Sequence, residues 1–216
     1  VSAAATSPTS NRRQVLTDLR RNEILAAAIK VFGKKGFAAT CVGDIADAAE
    51  IAKGTLYLYF ESKEDIYATA VRLAVEQLQL LAEERMKPGH GIRDRLAVAI
   101  SVRLEFWHEQ RDLYRLLLTV GREPQHKRQT HELLRSGHEH FLGILKEGRA
   151  AGEVPRLHTT GHKLDLDALA WAILDMVRGC NERRMDKQTD STPQQDAAWI
   201  TAFALRQLGL SGAIAH

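Results

Sequence analysis

Residues 40–63 read TCVGDIADAAEIAKGTLYLYFESK. Val42, Ile45, Ala46 and Ala49 fall at the spacing of one helix face, residues 50–52 interrupt it, and a second short helix is predicted through Thr55, Tyr57 and Tyr59. Two helices joined by a turn of about three or four residues make a helix-turn-helix, whose second helix can enter a major groove. The second segment places Lys53, Gly54, Thr55, Tyr57 and Tyr59 within roughly two turns. That side is too polar for a buried element and too aromatic for an ordinary solvated face. Ammonium, hydroxyl and phenol donors in such a row suit phosphate oxygens and base edges.

Upstream, residues 1–15 are Ala, Ser, Thr and Pro followed by Arg12 and Arg13, a composition that cannot bury a core and is expected to form a flexible arm. From residue 18 to 35, Ile24, Leu25, Ala28, Val31 and Phe32 recur at helical spacing, and Gly36 is placed to end that helix. Thr40 is expected to cap the helix beginning at Cys41, and Phe37 to pack beneath the motif. Downstream, Ser62 with Asp65 resembles a capping box opening a long helix through Ile66, Ala70, Leu73, Leu78 and Leu81 toward Met86. Pro88, Gly89 and Gly91 break it. Helices are then predicted from Ile92 to Trp107, Leu113 to Val120, His131 to Arg149 and Leu166 to Cys180, with a last one carrying Ala197, Ile200, Ala204 and Leu208. Residues 157–163, LHTTGHK, read as a loop, and no alternation of the strand type appears. The expected class is all-α: a helix-turn-helix domain over 16–63, joined by a long helix to a helical domain over 64–210.

The whole chain of 216 residues is 44% hydrophobic and 26% charged, with net charge +3. Through residue 60 there are eight basic residues (Arg12, Arg13, Arg20, Arg21, Lys30, Lys34, Lys35, Lys53) against five acidic ones (Asp18, Glu23, Asp44, Asp47, Glu50), so the whole excess lies there and the remainder balances. An anion-seeking N-terminal part and a neutral C-terminal part follow. No apolar run approaches the roughly 18 residues of a membrane span, and the start lacks the apolar core of a secretory signal, so a cytoplasmic protein is expected. Cys41 and Cys180 are too few and too scattered for a disulfide framework. Cys41, at the start of a helix, is a candidate oxidant sensor, although a small filler residue is the plainer reading.

The order Thr40, Ile45-Ala46, Lys53-Gly54-Thr55-Leu56-Tyr57, Tyr59-Phe60 and Ser62-Lys63-Glu64 resembles the DNA-binding domain of the TetR (tetracycline-repressor-like) transcriptional regulators over about the first third of the chain. The resemblance implies that Lys53, Gly54, Thr55 and Tyr57 approach bases and backbone, while Thr40, Tyr59 and Lys63 grip phosphates. Leu56 and Phe60 would be core. Three positions depart from the family pattern. Glu50 stands where the turn usually has Gly, which costs roughly 1–2 kcal/mol if the position is left-handed. Ala52 replaces the Ser that caps the recognition helix, and Tyr59 replaces a common His.

In that family the last two helices pair with their mates, and here a nearly all-round apolar helix (residues 166–180) followed by an amphipathic one calls for such cover. A homodimer on a pseudo-palindromic DNA operator is therefore expected, most simply a repressor released by an unidentified small-molecule effector. Trp107, His138 and Arg178 are the foremost candidates for effector contacts, and a pocket with a single Arg would suit an acyl or aromatic acid. No cofactor is expected. His138 and His140 point apart on a helix, and His158 and His162 lack a Cys or acidic partner set, so no metal site is expected either. The rival is a helical ligand-binding or enzymatic protein whose N-terminal hairpin only scaffolds a partner; turnover without DNA binding would mark it.

Overall fold

A computed structural model describes residues 8–121, 123, 126–156 and 164–210, with main chain alone for 8–14 and 129. Among these residues the secondary structure is helical: α1 (Pro8–Lys35), α2 (Val42–Ala48), α3 (Lys53–Leu56), α4 (Lys63–Arg85), α5 (Ile92–Glu109), α6 (Arg111–Val120), α7 (Lys127–Ala150), α8 (Leu166–Met185) and α9 (Pro193–Gln207). The chain divides into two compact units, Val1–Val71 with Asp112–Pro124, and Arg72–Arg111 with Gln125–His216. The boundary thus falls inside α4 rather than at residue 63, and α6 belongs largely to the first unit. α1 begins at Pro8, not at Asp18, so residues 8–15, expected as part of a flexible arm, are helical. Residues 1–7 and the predicted loop at 157–163 lie outside the described residues.

The first unit is built around Ile24, Ala28, Phe32, Ile45, Leu56, Phe60, Ile66 and Tyr67, all at most 2% exposed. α1 ends at Gly36, whose φ of +80° is a conformation that glycine adopts without penalty. Phe37, just after it, packs at 5.0 Å from the Phe32 ring and 5.7 Å from Tyr67. Arg21 lies with its guanidinium 4.5 Å over the Phe60 ring and donates to Thr69 Oγ1 at 3.4 Å. An arginine counted toward an anion-seeking surface therefore ties α1 to α4 instead. α4 opens as the Ser62/Asp65 spacing predicts: Ser62 Oγ accepts from the Asp65 N–H at 3.1 Å, although the Asp65 carboxylate reaches back to the Glu61 N–H rather than to Ser62.

In the second unit α5 packs along α9 and against α7 and α8, with Leu96, Ala99, Ile100, Leu104, Phe141, Leu145, Ala170, Ile173, Ile200, Ala204 and Leu208 at zero exposure. Thr192, Pro193 and Gln195 set the start of α9: Thr192 Oγ1 accepts from the Gln195 N–H at 3.2 Å while Gln195 Oε1 accepts from the Thr192 N–H at 2.9 Å. Arg184 joins α8 to α9. It donates to Asn181 Oδ1 at 2.8 Å and to the Ser191 carbonyl at 3.0 Å, and pairs with the buried carboxylate of Asp196. Among the described residues, no helix is long and apolar enough to cross a membrane.

Candidate nucleic-acid interface

The motif holds its geometry through a few short-range contacts. α2 starts from Cys41, whose backbone N–H donates to Asp44 Oδ2 at 2.9 Å and whose thiol donates to the same oxygen at 3.2 Å. Asp44 also accepts from Lys35 Nζ at 2.5 Å, and these donors, Lys35 first, hold its carboxyl down at about 2. The turn follows with the Glu50 N–H donating to the Asp47 carbonyl at 3.1 Å and the Ile51 N–H to that of Ala46 at 3.0 Å. Glu50 sits at φ +55°, so the left-handed turn is kept without the glycine that relieves it. Ala52 occupies the N-cap of α3 in extended backbone with no side-chain acceptor, as its identity predicts.

α3 closes quickly at Leu56, and Tyr57 to Phe60 continue as turns held by Leu58 N–H to Thr55 carbonyl at 3.1 Å and Phe60 N–H to Leu56 carbonyl at 3.1 Å. Leu56 and Phe60 point inward, at 0% and 1% exposure, while Lys53, Gly54 and Tyr57 are exposed and Thr55 and Tyr59 half-buried. Gly54 needs no special backbone, and a Cβ there would meet nothing within 4 Å. The fold itself thus gives no reason for glycine at this position; an approaching backbone or base would. Leu58, which the sequence reading passed over, is 81% exposed between the two tyrosines. An apolar side chain at such a point can meet a thymine methyl. Its signal was present in the alternation Leu56, Tyr57, Leu58, Tyr59, where only one leucine can be core.

Two expected phosphate contacts are corrected. Thr40 is only 3% exposed, and its hydroxyl donates to the Gly36 carbonyl at 2.7 Å; it caps the end of α1, and the start of α2 falls to Cys41 and Asp44. Lys63 turns back into the protein. Its ammonium donates to the carbonyls of Phe37, Ala38 and Thr40 at 2.9, 3.1 and 3.0 Å and lies 4.9 Å over the Phe37 ring. An ammonium has three protons and all three are engaged, so Lys63 staples the α1–α2 loop to the start of α4.

The effector candidates are also redistributed. Trp107 is buried on α5, edge-on to Phe106 at 5.0 Å. His138, on α7, is buried and stacked on Trp171 of α8 at 4.3 Å, with Nε2 at 3.1 Å from Asp167 Oδ1. Arg178 is 40% exposed and pairs with Asp175 and Glu182 of its own helix at 3.1 and 3.7 Å, which removes the reason to read it as a buried anion anchor. A groove of about 580 Å³ runs between α5 and α9, past Arg93, Val98 and Ser101 on one side and Ala197, Thr201 and Leu205 on the other; none of the three candidates lines it. Among the described residues no group of three or more His, Cys, Asp or Glu could hold a metal ion. His158 and His162 lie outside those residues. The two cysteines are free, Cys41 exposed and Cys180 buried.

Residues 24–70, the span of the motif and its bracing helices, match the family model for bacterial regulatory proteins of the tetR family. Over those residues the chain carries a DNA-binding domain of the tetR-family type. The fatty acid metabolism regulator protein of Bacillus subtilis is 29% identical over 134 residues, covering 61% of this chain and 69% of that protein. The HTH-type transcriptional activator FasR of Mycolicibacterium smegmatis is 31% identical over 109 residues, half of each chain. Among the first curated relatives the match spans as little as 38% of the relative's own length. In fold, this chain superposes on the crystal structure of the transcriptional regulator FadR from Bacillus subtilis in complex with stearoyl-CoA, with a TM-score of 0.73 at 23% identity, over 88% of this chain and 98% of that one. The relatives are named as transcriptional regulators.

Proposed function

We propose that this chain is a transcriptional regulator that binds a pseudo-palindromic DNA operator as a homodimer, represses by occupying it, and leaves when a small molecule binds its second unit. The observation that carries the DNA reading is the exposed row Lys53, Gly54, Tyr57 and Leu58, with Thr55 and Tyr59 half-buried beside it, on a helix-turn-helix whose apolar side is fully buried. Lys53 and the phenols contact phosphate and base edges, Gly54 admits close approach, and Leu58 favours A·T pairs through the thymine methyl. Dimerisation through α8 and α9 is supported by Trp171, Trp199 and Phe203, which stay 38%, 44% and 39% exposed on those helices. Exposed large aromatics are the composition of an interface core. Two recognition elements related by a two-fold axis then require half-sites about one helical turn apart or slightly more.

Release follows from linkage: an effector that prefers a dimer with mismatched recognition elements lowers operator affinity by its differential affinity for the two states, tenfold for about 1.4 kcal/mol. An acyl compound is one candidate effector, by analogy with the neighbour bound to stearoyl-CoA. Selection of duplexes from a random pool with the purified protein tests the reading. A two-fold-symmetric consensus is expected, and its placement over a promoter should lower transcription in a purified system. Recovery of no consensus would refute DNA recognition, and raised transcription would refute repression.

A further inference from the structure

Arg103 of α5 is buried to 6% exposure, yet among the described residues it has no counter-charge. Its Nη1 donates to the Ala99 carbonyl of its own helix at 3.2 Å, and the guanidinium lies 4.7 Å over the Phe141 ring of α7. Every Asp and Glu of the chain lies among the described residues, and none pairs with it. Burial alone holds its pKa down, at about 10, so the group stays charged at neutral pH. Two other sequestered arginines of this unit are treated differently: Arg184 has Asp196, and Arg95 has Glu147 at 2.8 Å and Glu153 at 3.5 Å. A second polar group beside it is also unmet. His140 Nε2, on α7 next to Phe141, is buried with no hydrogen-bond partner. Burial, and then the Arg103 charge, push that imidazole down to about 4, which keeps it neutral.

We propose that Arg103 is the anchor of a buried anion site between α5 and α7, and that the small molecule bound by this unit carries a single free carboxylate on an apolar body. A desolvated guanidinium is compensated only by a full negative charge, which a thioester, ester or amide carbonyl does not supply. One cation beside a neutral imidazole matches a monoanion; a phosphate dianion would bring a second, uncompensated charge into the same low-dielectric site. The planar carboxylate accepts from the guanidinium while His140 Nε2 faces the ligand, and Phe141 and Leu174 supply apolar wall, Leu174 being packed at 3.0 Å from where a Gly137 Cβ would stand. Because Arg103 is only 6% exposed, entry requires α5 and α7 to part locally. The inference rests on the reading of this unit as the effector-binding one, and it moves the anion anchor from Arg178 to Arg103.

The test is calorimetric titration of the full chain, without DNA, using acetate, benzoate, octanoate and dodecanoate, each alongside its methyl ester, and dodecanoyl-CoA alongside dodecanoate. At least one acid is expected to bind at least tenfold more tightly than its ester, and Arg103→Met to abolish that preference. Without ligand, Arg103→Met should melt no lower than the parent, because it removes an uncompensated charge and keeps an apolar stem under Phe141. Equal binding of acids and esters, no binding of any acid, tighter binding of dodecanoyl-CoA than of dodecanoate, or an Arg103→Met protein that fails to fold would each overturn it. DNA release is scored separately on the selected duplex. An acid that binds through Arg103 without releasing DNA defeats the effector reading alone; release by a compound with no carboxylate, with every acid silent, defeats this inference alone.

Discussion

Lys53 and Lys63 lie ten positions apart in the same motif and use their ammonium groups in opposite ways. Lys63 makes three hydrogen bonds to main-chain carbonyls, and hydrogen bonds from a charged donor contribute about 1.5–3 kcal/mol. Lys63→Met should therefore lower stability by about 2 kcal/mol, read as a shifted denaturant midpoint, while the salt dependence of DNA binding keeps its slope. Lys53 is exposed, and no ion pair is formed by its side chain among the described residues. Lys53→Met should leave the midpoint unchanged and reduce the slope of log affinity against log salt by about 2 per dimer, one phosphate contact from each subunit. If the two variants exchanged these effects, the structural assignment of Lys63 would be wrong. Gly54 gives a third separation. With open space at its Cβ position, Gly54→Ala should melt no lower than the parent, since Ala is the better helix former, yet lose duplex affinity at least tenfold, about 1.4 kcal/mol. A loss of stability with affinity intact would assign Gly54 to the fold.

At the level of elements, α2, the turn and α3 were legible because apolar spacing and special residues coincide: Ile45, Ala46, Leu56 and Phe60 are the core side that their period predicts. The lack of a side-chain cap at Ala52 was legible too, as was the conditional cost at Glu50, whose φ is +55°. What the sequence did not disclose is the direction of individual polar side chains. Thr40 and Lys63 satisfy nearby carbonyls, a choice that depends on how α1 and α4 cross rather than on local spacing. The early start of α1 was hidden by a polar composition that periodicity cannot read. The start of α9 was missed although Thr192, Pro193 and Gln195 spell it. Asp44 illustrates an element fixed by charge. Its carboxyl, bound first by Lys35 and then by Cys41, ionises near 2 instead of at the usual 3.8. A folded-state value below the unfolded one stabilises at pH above about 4, and that contribution is lost as pH falls toward 2. Asp44→Asn should flatten the acid unfolding curve between those limits and leave the neutral to alkaline side unaltered in shape; an unchanged acid limb would dissociate Asp44 from the start of α2.

For the whole molecule, the charge imbalance that sequence assigns to the N-terminal part survives only in diluted form, because Arg20, Arg21 and Lys35 are engaged with Glu23, Phe60 and Asp44. On the proposed reading, affinity then comes from two motifs acting together. Trp199→Glu with Phe203→Glu, both on the exposed side of α9, should yield a monomer in sedimentation velocity with unchanged helical circular dichroism, and should weaken binding to the full operator by about a hundredfold or more as the second half-site is lost. A monomeric variant of undiminished affinity would remove the dimer from the account. The most direct test of the central claim is the salt dependence of binding to the selected duplex, measured by fluorescence anisotropy beside a scrambled duplex. With Lys53 of each subunit on a phosphate, log affinity should fall against log salt with a slope of about −2 or steeper, and the selected sequence should bind at least a thousandfold more tightly than the scrambled one. A slope near zero, or equal affinity for both duplexes, would contradict sequence-specific DNA binding by this protein.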